Sequence, residues 1–105
     1  MAVYVIQRDR TKDFSDAEGF GPLHYLLGRS VFPDSVGTDV KTARIMLEDR
    51  LKDFYFKEDF VLLNGDPVHA AMVTVVLGKQ KIPYIRFLKW DRENRAYYEV
   101  EVSLT

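Results

Sequence analysis

The sequence predicts one α+β domain: a mixed β-sheet with a βαβ unit, two main helices and a C-terminal antiparallel hairpin. Three observations support this fold class. A strand, a capped helix and a second strand follow one another between residues 60 and 90, an earlier segment repeats apolar residues at helical spacing, and the C-terminal end alternates apolar with polar residues. Because 105 residues is the size of one domain, we expect residues 1-105 to form a single unit.

The N-terminal half contains candidates for two strands and one helix. Residues 3-7 are rich in β-branched side chains and predict a first strand, followed by an exposed charged loop. Residues 23-27 predict a short strand, for which one arrangement is a hairpin with Val31-Phe32 that turns at residues 28-30. Thr38 is placed to cap a helix. The apolar positions of that helix are Val40, Ala43, Leu47, Leu51 and Phe54. Its opposite face carries Arg44, Glu48 and Lys52, which we expect to be linked as ion pairs at i to i+4 spacing.

The βαβ unit begins with the apolar run at residues 60-63, which is typical of a strand buried on both faces and central in a sheet. Asp66 then suits an N-cap and Pro67 a first helical position, and Gly78 marks the end of this second helix. The crossover to a strand at residues 84-90 has an ordinary length, so we expect parallel pairing and a right-handed connection. We expect a largely buried helix whose apolar face consists of Val68, Ala71, Met72, Val75 and Val76.

The C-terminal hairpin turns through residues 91-95. Placing Trp90 opposite Tyr97 sets Arg86 opposite Glu101 and Leu88 opposite Glu99. The other side of the hairpin then collects Ile85, Phe87, Val100 and Val102. This register predicts an ion pair between Arg86 and Glu101.

Composition restricts the classes of function. A formal net charge of -1 provides no overall attraction to nucleic acid or anionic lipid, so any such binding requires a local patch. Cysteine is absent, which excludes disulfides and thiolate chemistry and is typical of a reducing compartment. Neither a signal peptide nor a membrane span is recognisable, so we expect a cytoplasmic protein without a membrane partner.

No catalytic or metal-binding constellation is recognisable. The two histidines, His24 and His69, are far apart in the sequence and lack ligand spacing. No serine lies on a nucleophile elbow. We therefore predict no catalytic residues, no metal and no cofactor, and a non-enzymatic role.

Asn64 and Gly65 form a possible anion site, because they lie between a buried strand and the start of a helix, where backbone amides point outward. Asp66 is the competing explanation, since its carboxylate can bind the same amides as a simple cap. Simple capping is the favoured interpretation.

The segment from Lys79 to Arg95 is the strongest candidate for binding. It has six basic residues against two acidic ones and is interleaved with aromatic residues. The predicted ligand- or partner-binding residues are Tyr84, Arg86, Leu88, Lys89, Trp90, Arg92 and Tyr97.

Two functions fit this hairpin face. The first is a protein interface with a host protein or with a second copy, which would give a homodimer or a larger even-numbered assembly. The alternative is recognition of a nucleotide-type ligand or of nucleic acid, with cations for phosphate and aromatic rings for bases. We rate the protein interface slightly above the nucleotide, and a structural role for the same residues is the simplest account.

The runs Leu63-Asn64-Gly65-Asp66-Pro67, Leu88-Lys89-Trp90-Asp91-Arg92 and 97-102 resemble a pattern found in short bacteriophage-encoded proteins of uncharacterised function. The resemblance covers the C-terminal half, with Phe20-Gly21-Pro22-Leu23 as a weaker match. It implies an accessory protein that acts in the cytoplasm of a bacterial host, binding a host protein or sequestering a nucleotide signal of host defence. It brings no catalytic residues.

Overall fold

A computed structural model describes residues 1-9, 11-28 and 38-105, with backbone alone for residues 38-40. The elements are β1 (Val3–Gln7), a 3-10 helix (Ser15–Phe20), β2 (Leu23–Leu27), α1 (Thr38–Arg50), β3 (Phe60–Leu62), α2 (Pro67–Gly78), β4 (Tyr84–Asp91) and β5 (Ala96–Ser103). The sheet order is β2-β1-β3-β4-β5. All neighbouring strands are parallel except β4 and β5, so the predicted α+β fold class with a mixed sheet and C-terminal hairpin is confirmed.

The βαβ prediction is confirmed, because β3 and β4 are parallel and α2 connects them. β3 is buried along its length and occupies the middle of the sheet, as predicted for a strand covered on both faces. β2 is also a strand, but its partner is β1 and the pairing is parallel. The alternative hairpin strand Val31-Phe32 and most of its turn lie outside the described residues.

The two faces of the sheet are covered differently. One face packs against α1 and α2 through a cluster that includes Leu47, Val73 and Ile85. The other face is covered by the segment of the 3-10 helix, where Phe14 and Ala17 belong to one buried cluster with Val3, Val5 and Leu88. Burial of apolar side chains at about 25 cal/mol per Å² is the main stabilising contribution on both faces.

The predicted core positions of α1 are confirmed where its side chains are described. They are Ala43, Leu47, Leu51 and Phe54, all buried. The helix itself ends at Arg50, earlier than the apolar pattern indicates. Arg44 pairs with Glu48 at 3.4 Å as predicted, whereas Lys52 pairs with Asp49 at 3.7 Å and not with Glu48.

The start of α2 is confirmed, because the Asp66 carboxylate accepts a hydrogen bond of 2.8 Å from the Val68 N–H. Its predicted apolar face is wrong at Val68, Ala71 and Val75, which are exposed. It is confirmed at Val76, which is buried, and Met72 is partly buried against the core. The buried positions are His69, Val73, Val76 and Leu77. A helix that is apolar around its circumference has no polar stripe to set the phase, so the side facing the sheet was misassigned.

The hairpin register is confirmed: Trp90 is opposite Tyr97, and Leu88 is opposite Glu99. The predicted ion pair is wrong, although Arg86 does lie opposite Glu101. The guanidinium of Arg86 instead pairs diagonally with Glu99, at 3.8 Å. Diagonal neighbours on two antiparallel strands are within reach of long side chains.

Candidate functional site

A cleft lies at the carboxyl ends of the parallel strands, where the chain leaves β1 and β3 toward opposite faces of the sheet. The segment after β1 leads to the 3-10 helix on one face, whereas the segment after β3 leads to α2 on the other. Diverging connections of this kind open a crevice beyond the strand ends, which is where α/β sheets generally bind ligands. β1 and β3 are neighbours in the sheet, so the crevice opens between their carboxyl ends.

The cleft has a volume of about 290 Å³ and mainly apolar walls. We call it the Trp90–Tyr97 cleft. It is lined by Lys12, Asp13 and Phe14 after β1, by Leu63 and Asn64 after β3, and by Trp90 and Tyr97 of the hairpin. Leu63 and Trp90 are 37% and 38% exposed, so apolar surface remains open to a ligand there.

Trp90 and Tyr97 form the aromatic wall of the cleft. Their rings meet edge to face with centroids 4.9 Å apart, as cross-strand neighbours do. Burial raises the pKa of the Tyr97 hydroxyl, and the negative charges of Asp16 and Asp13 raise it further. Asp13 and the cation Lys12 both line the cleft, so its charged lining residues are balanced.

The floor of the cleft is held by Asn64, whose side chain joins the ends of β1 and β3. Its carbonyl accepts from the Gln7 N–H at 3.1 Å, and its amide donates to the Gln7 carbonyl at 2.6 Å. Asn64 thus continues the ladder between the two strands with a side chain. The next residue, Gly65, has a φ of 75°, in the left-handed region that glycine adopts without strain.

His69 lies buried behind this floor. Its Nδ1 is 3.3 Å from the Gln7 side-chain carbonyl, and the Gln7 amide donates to the Gly28 carbonyl at 3.3 Å. Because a carbonyl oxygen can only accept, Nδ1 carries the proton in this arrangement. Nε2 has no hydrogen-bond partner among the described residues. Burial lowers the pKa of His69, an effect that the nearby Asp66 partly opposes, so the ring is neutral near pH 7.

The predicted binding residues do not form one patch. Trp90 and Tyr97 meet in the cleft, but Leu88 is fully buried in the cluster that contains Phe14 and Ala17. Tyr84 is six residues from Trp90, about 20 Å along the strand. It packs against Phe56 with ring centroids 5.1 Å apart.

Arg86 is already engaged within the fold. Its guanidinium lies 4.3 Å from the centre of the Phe60 ring and donates to the Lys57 carbonyl at 2.7 Å, besides its pairing with Glu99. These contacts make Arg86 a structural residue in this conformation.

Lys89 and Arg92 lie around the tip of the hairpin. With Trp90 and Tyr98 they line a second, shallower depression, whose other walls are the acidic Asp91 and Glu93. Side chains alternate along β4, so Lys89 is on the opposite face of the strand from Trp90. Neither Lys89 nor Arg92 lines the Trp90–Tyr97 cleft.

Two of the polar groups at the possible anion site, the Asn64 side chain and the Val68 N–H, already have hydrogen-bond partners. Asn64 binds the backbone of Gln7 through both ends of its amide. The Val68 N–H, at the start of α2, is bound by Asp66. An anion would have to displace the Asp66 carboxylate to reach that amide.

Sequence reasoning missed the side of the cleft contributed by Lys12, Asp13 and Phe14, and it did not assign a role to Leu63. The one signal for it was Phe14, a large apolar residue at the end of a charged loop. In the described part of the chain, no three histidine or carboxylate side chains come together to hold a metal ion. No helix of that part is long and apolar enough to cross a membrane.

These features define a small α+β protein with an aromatic cleft at the switch point of a mixed sheet. The chain belongs to the Phage Pam3 gp32-like protein family, which it matches over residues 1–104. This confirms the resemblance to phage proteins noted in the C-terminal half and extends it over nearly the whole chain. No curated protein and no solved structure matches it.

Proposed function

We propose that this chain is a phage accessory protein that acts by binding, in the cytoplasm of the infected bacterium, and that it holds a side chain of a host protein in the Trp90–Tyr97 cleft. The observation that carries the proposal is the indole of Trp90, 38% exposed, at the edge of a mainly apolar cleft. Tryptophan and tyrosine beside a pocket are the residues that most often dominate protein interfaces.

The size and charge of the cleft favour a protein side chain over a nucleotide. Its volume of about 290 Å³ is at or below the lower end of small-molecule sites, which span about 300 to 1,000 Å³. Lys12 and Asp13, which carry opposite charges, both line it, so the cleft offers no net positive charge to a phosphate. An apolar side chain would fit the mainly apolar walls, and a basic residue beside it would pair with Asp13.

The test compares Trp90→Ala with Ile45→Ala, because both remove a large exposed apolar side chain and Ile45 lies on α1, away from the cleft. Wild type and both variants are immobilised and exposed to an extract of infected host cells, and the retained proteins are quantified by mass spectrometry. Loss of a hot-spot residue costs about 2 kcal/mol, or roughly a thirtyfold loss of affinity. A partner retained by wild type and Ile45→Ala should therefore be depleted with Trp90→Ala. Equal retention by all three would contradict the proposal, provided their thermal unfolding is similar.

The nucleotide alternative rests on Lys89 and Arg92 beside Trp90 at the hairpin tip. Asp91 and Glu93 line the same depression and offset the two positive charges. Thermal-shift titration with linear and cyclic nucleotides tests it directly, and we expect no shift. A salt-sensitive shift abolished by Lys89→Ala and Arg92→Ala would favour the nucleotide over the protein partner.

A further inference from the structure

β5 is an edge strand with one strand neighbour. It pairs with β4, and no described residue pairs with its other side. Its eight residues, Ala96–Ser103, include no lysine, arginine or proline, the residues that commonly protect such edges. At the opposite edge of the sheet the Leu26 carbonyl of β2 accepts a hydrogen bond from the Arg50 guanidinium.

The direction of the free backbone groups of β5 follows from two hydrogen bonds. The Leu104 N–H donates to the Pro83 carbonyl at 2.9 Å, toward β4. In an antiparallel ladder every second residue points its backbone N–H and C=O toward the same neighbour, so those of Val102, Val100 and Tyr98 also point toward β4. The residues between them, Glu101 and Glu99, direct theirs outward. Leu88 lies opposite Glu99, and its carbonyl points away from β5, because it accepts from the Leu63 N–H on the β3 side at 3.0 Å. Leu88 and Glu99 are therefore a pair without hydrogen bonds between them, as the outward direction of the Glu99 groups requires.

The side chains of this edge have two different faces. Tyr98 and Val102 are 43% and 40% exposed on the face shared with α2. Glu99 and Glu101 are exposed on the other face, where Glu99 also pairs with Arg86 at 3.8 Å. A strand added here would meet apolar groups on one side and carboxylates on the other. A second copy that matches the apolar faces by two-fold pairing would place Glu99 opposite Glu99 or Glu101 of the other chain, and like charges directly opposite are destabilising.

We propose that the free edge of β5 receives an extended segment of a partner protein in which basic and apolar residues alternate. The segment would add a sixth strand to the sheet, with backbone hydrogen bonds to Glu99 and Glu101, basic side chains over the two carboxylates and apolar ones over Tyr98 and Val102. This goes beyond the cleft, because neither Glu99 nor Glu101 lines it. The result for Trp90→Ala therefore leaves the proposal intact.

The probe is a synthetic peptide of four Val-Lys repeats, with four Val-Glu repeats as the control, and the readout is amide hydrogen exchange by NMR. The Val-Lys peptide should slow exchange at Glu99 and Glu101 at least tenfold, and the Val-Glu peptide should not. Glu101→Pro removes one outward N–H and leaves the bonds to β4, so it should abolish the protection. Glu101→Ala keeps the N–H and should retain part of it.

The variant Glu101→Lys, which leaves the pair between Arg86 and Glu99 intact, should weaken protection by the Val-Lys peptide and allow protection by the Val-Glu peptide. Equal protection by both peptides, or none by the Val-Lys peptide at millimolar concentration, would overturn the proposal. So would a homodimer, predicted from the sequence, in which Glu99 and Glu101 are protected without any peptide. Light scattering of the free protein distinguishes that case.

Discussion

Replacing Gly65 by alanine should destabilise the fold by about 2–5 kcal/mol. The φ of 75° at this position costs an ordinary residue roughly 1–2 kcal/mol. An added Cβ would lie 2.8 Å from the side-chain oxygen of Gln7 and 3.1 Å from its Cβ. The Gln7 side chain is held by His69 and Gly28, so it cannot move without losing those contacts, and such overpacking adds about 1–3 kcal/mol.

Urea unfolding followed by far-UV circular dichroism measures this change directly. Gly78→Ala is the matched control, because a Cβ there meets no atom within 4 Å and φ is not positive. Alanine at this last position of α2 should be neutral or stabilise by up to about 1 kcal/mol. A Gly65→Ala variant within about 0.5 kcal/mol of wild type would refute the account of how Gly65, Gln7 and His69 fit together.

Two further predictions concern α2. Asp66→Ala should lower the free energy of unfolding by about 1 kcal/mol, because the cap on the Val68 N–H is lost, whereas Asp66→Asn should keep most of it; an unchanged midpoint in urea for Asp66→Ala would refute the capping role. The lowered pKa of His69 means that the unfolded chain binds more protons as pH falls below about 6.5, so stability should decrease from pH 7 toward pH 5. His69→Met should flatten that decrease, and parallel pH profiles for the two proteins would contradict a buried neutral ring.

The predictable parts of the fold were those with a local signal that agreed with its surroundings. The hairpin register followed from strict alternation and a polar turn at residues 91-95, where Asp91 indeed accepts from the Glu93 and Asn94 amides. The ion partner of Arg86 was not predictable, because Glu99 and Glu101 are equally close in sequence and the choice depends on how the guanidinium lies over Phe60. The buried side of α2 was not predictable, because the helix has no polar face that would identify its exposed side.

Only one wall of the candidate site, the aromatic wall, was predictable from the sequence. Trp90 and Tyr97 were identified from composition, since aromatic residues on a hairpin are a local feature. The opposite wall comes from Lys12 to Phe14, more than seventy residues away. Its position depends on how Phe14 and the 3-10 helix pack into the buried cluster that also contains Leu88. The sequence of residues 14–20 has no periodic pattern that would predict this packing against the sheet. The same packing removed Leu88 from the surface predicted to bind.

Site-specific photo-crosslinking in infected cells tests the central claim, that the Trp90–Tyr97 cleft binds a host protein, most directly. A photoreactive amino acid replaces Lys12 at the cleft or, as the control, Ile45 on α1. The account predicts a discrete adduct with one host protein from position 12, none of that mass from position 45, and loss of the adduct when Trp90→Ala is added. No adduct from position 12, or an adduct that persists with Trp90→Ala, would contradict it.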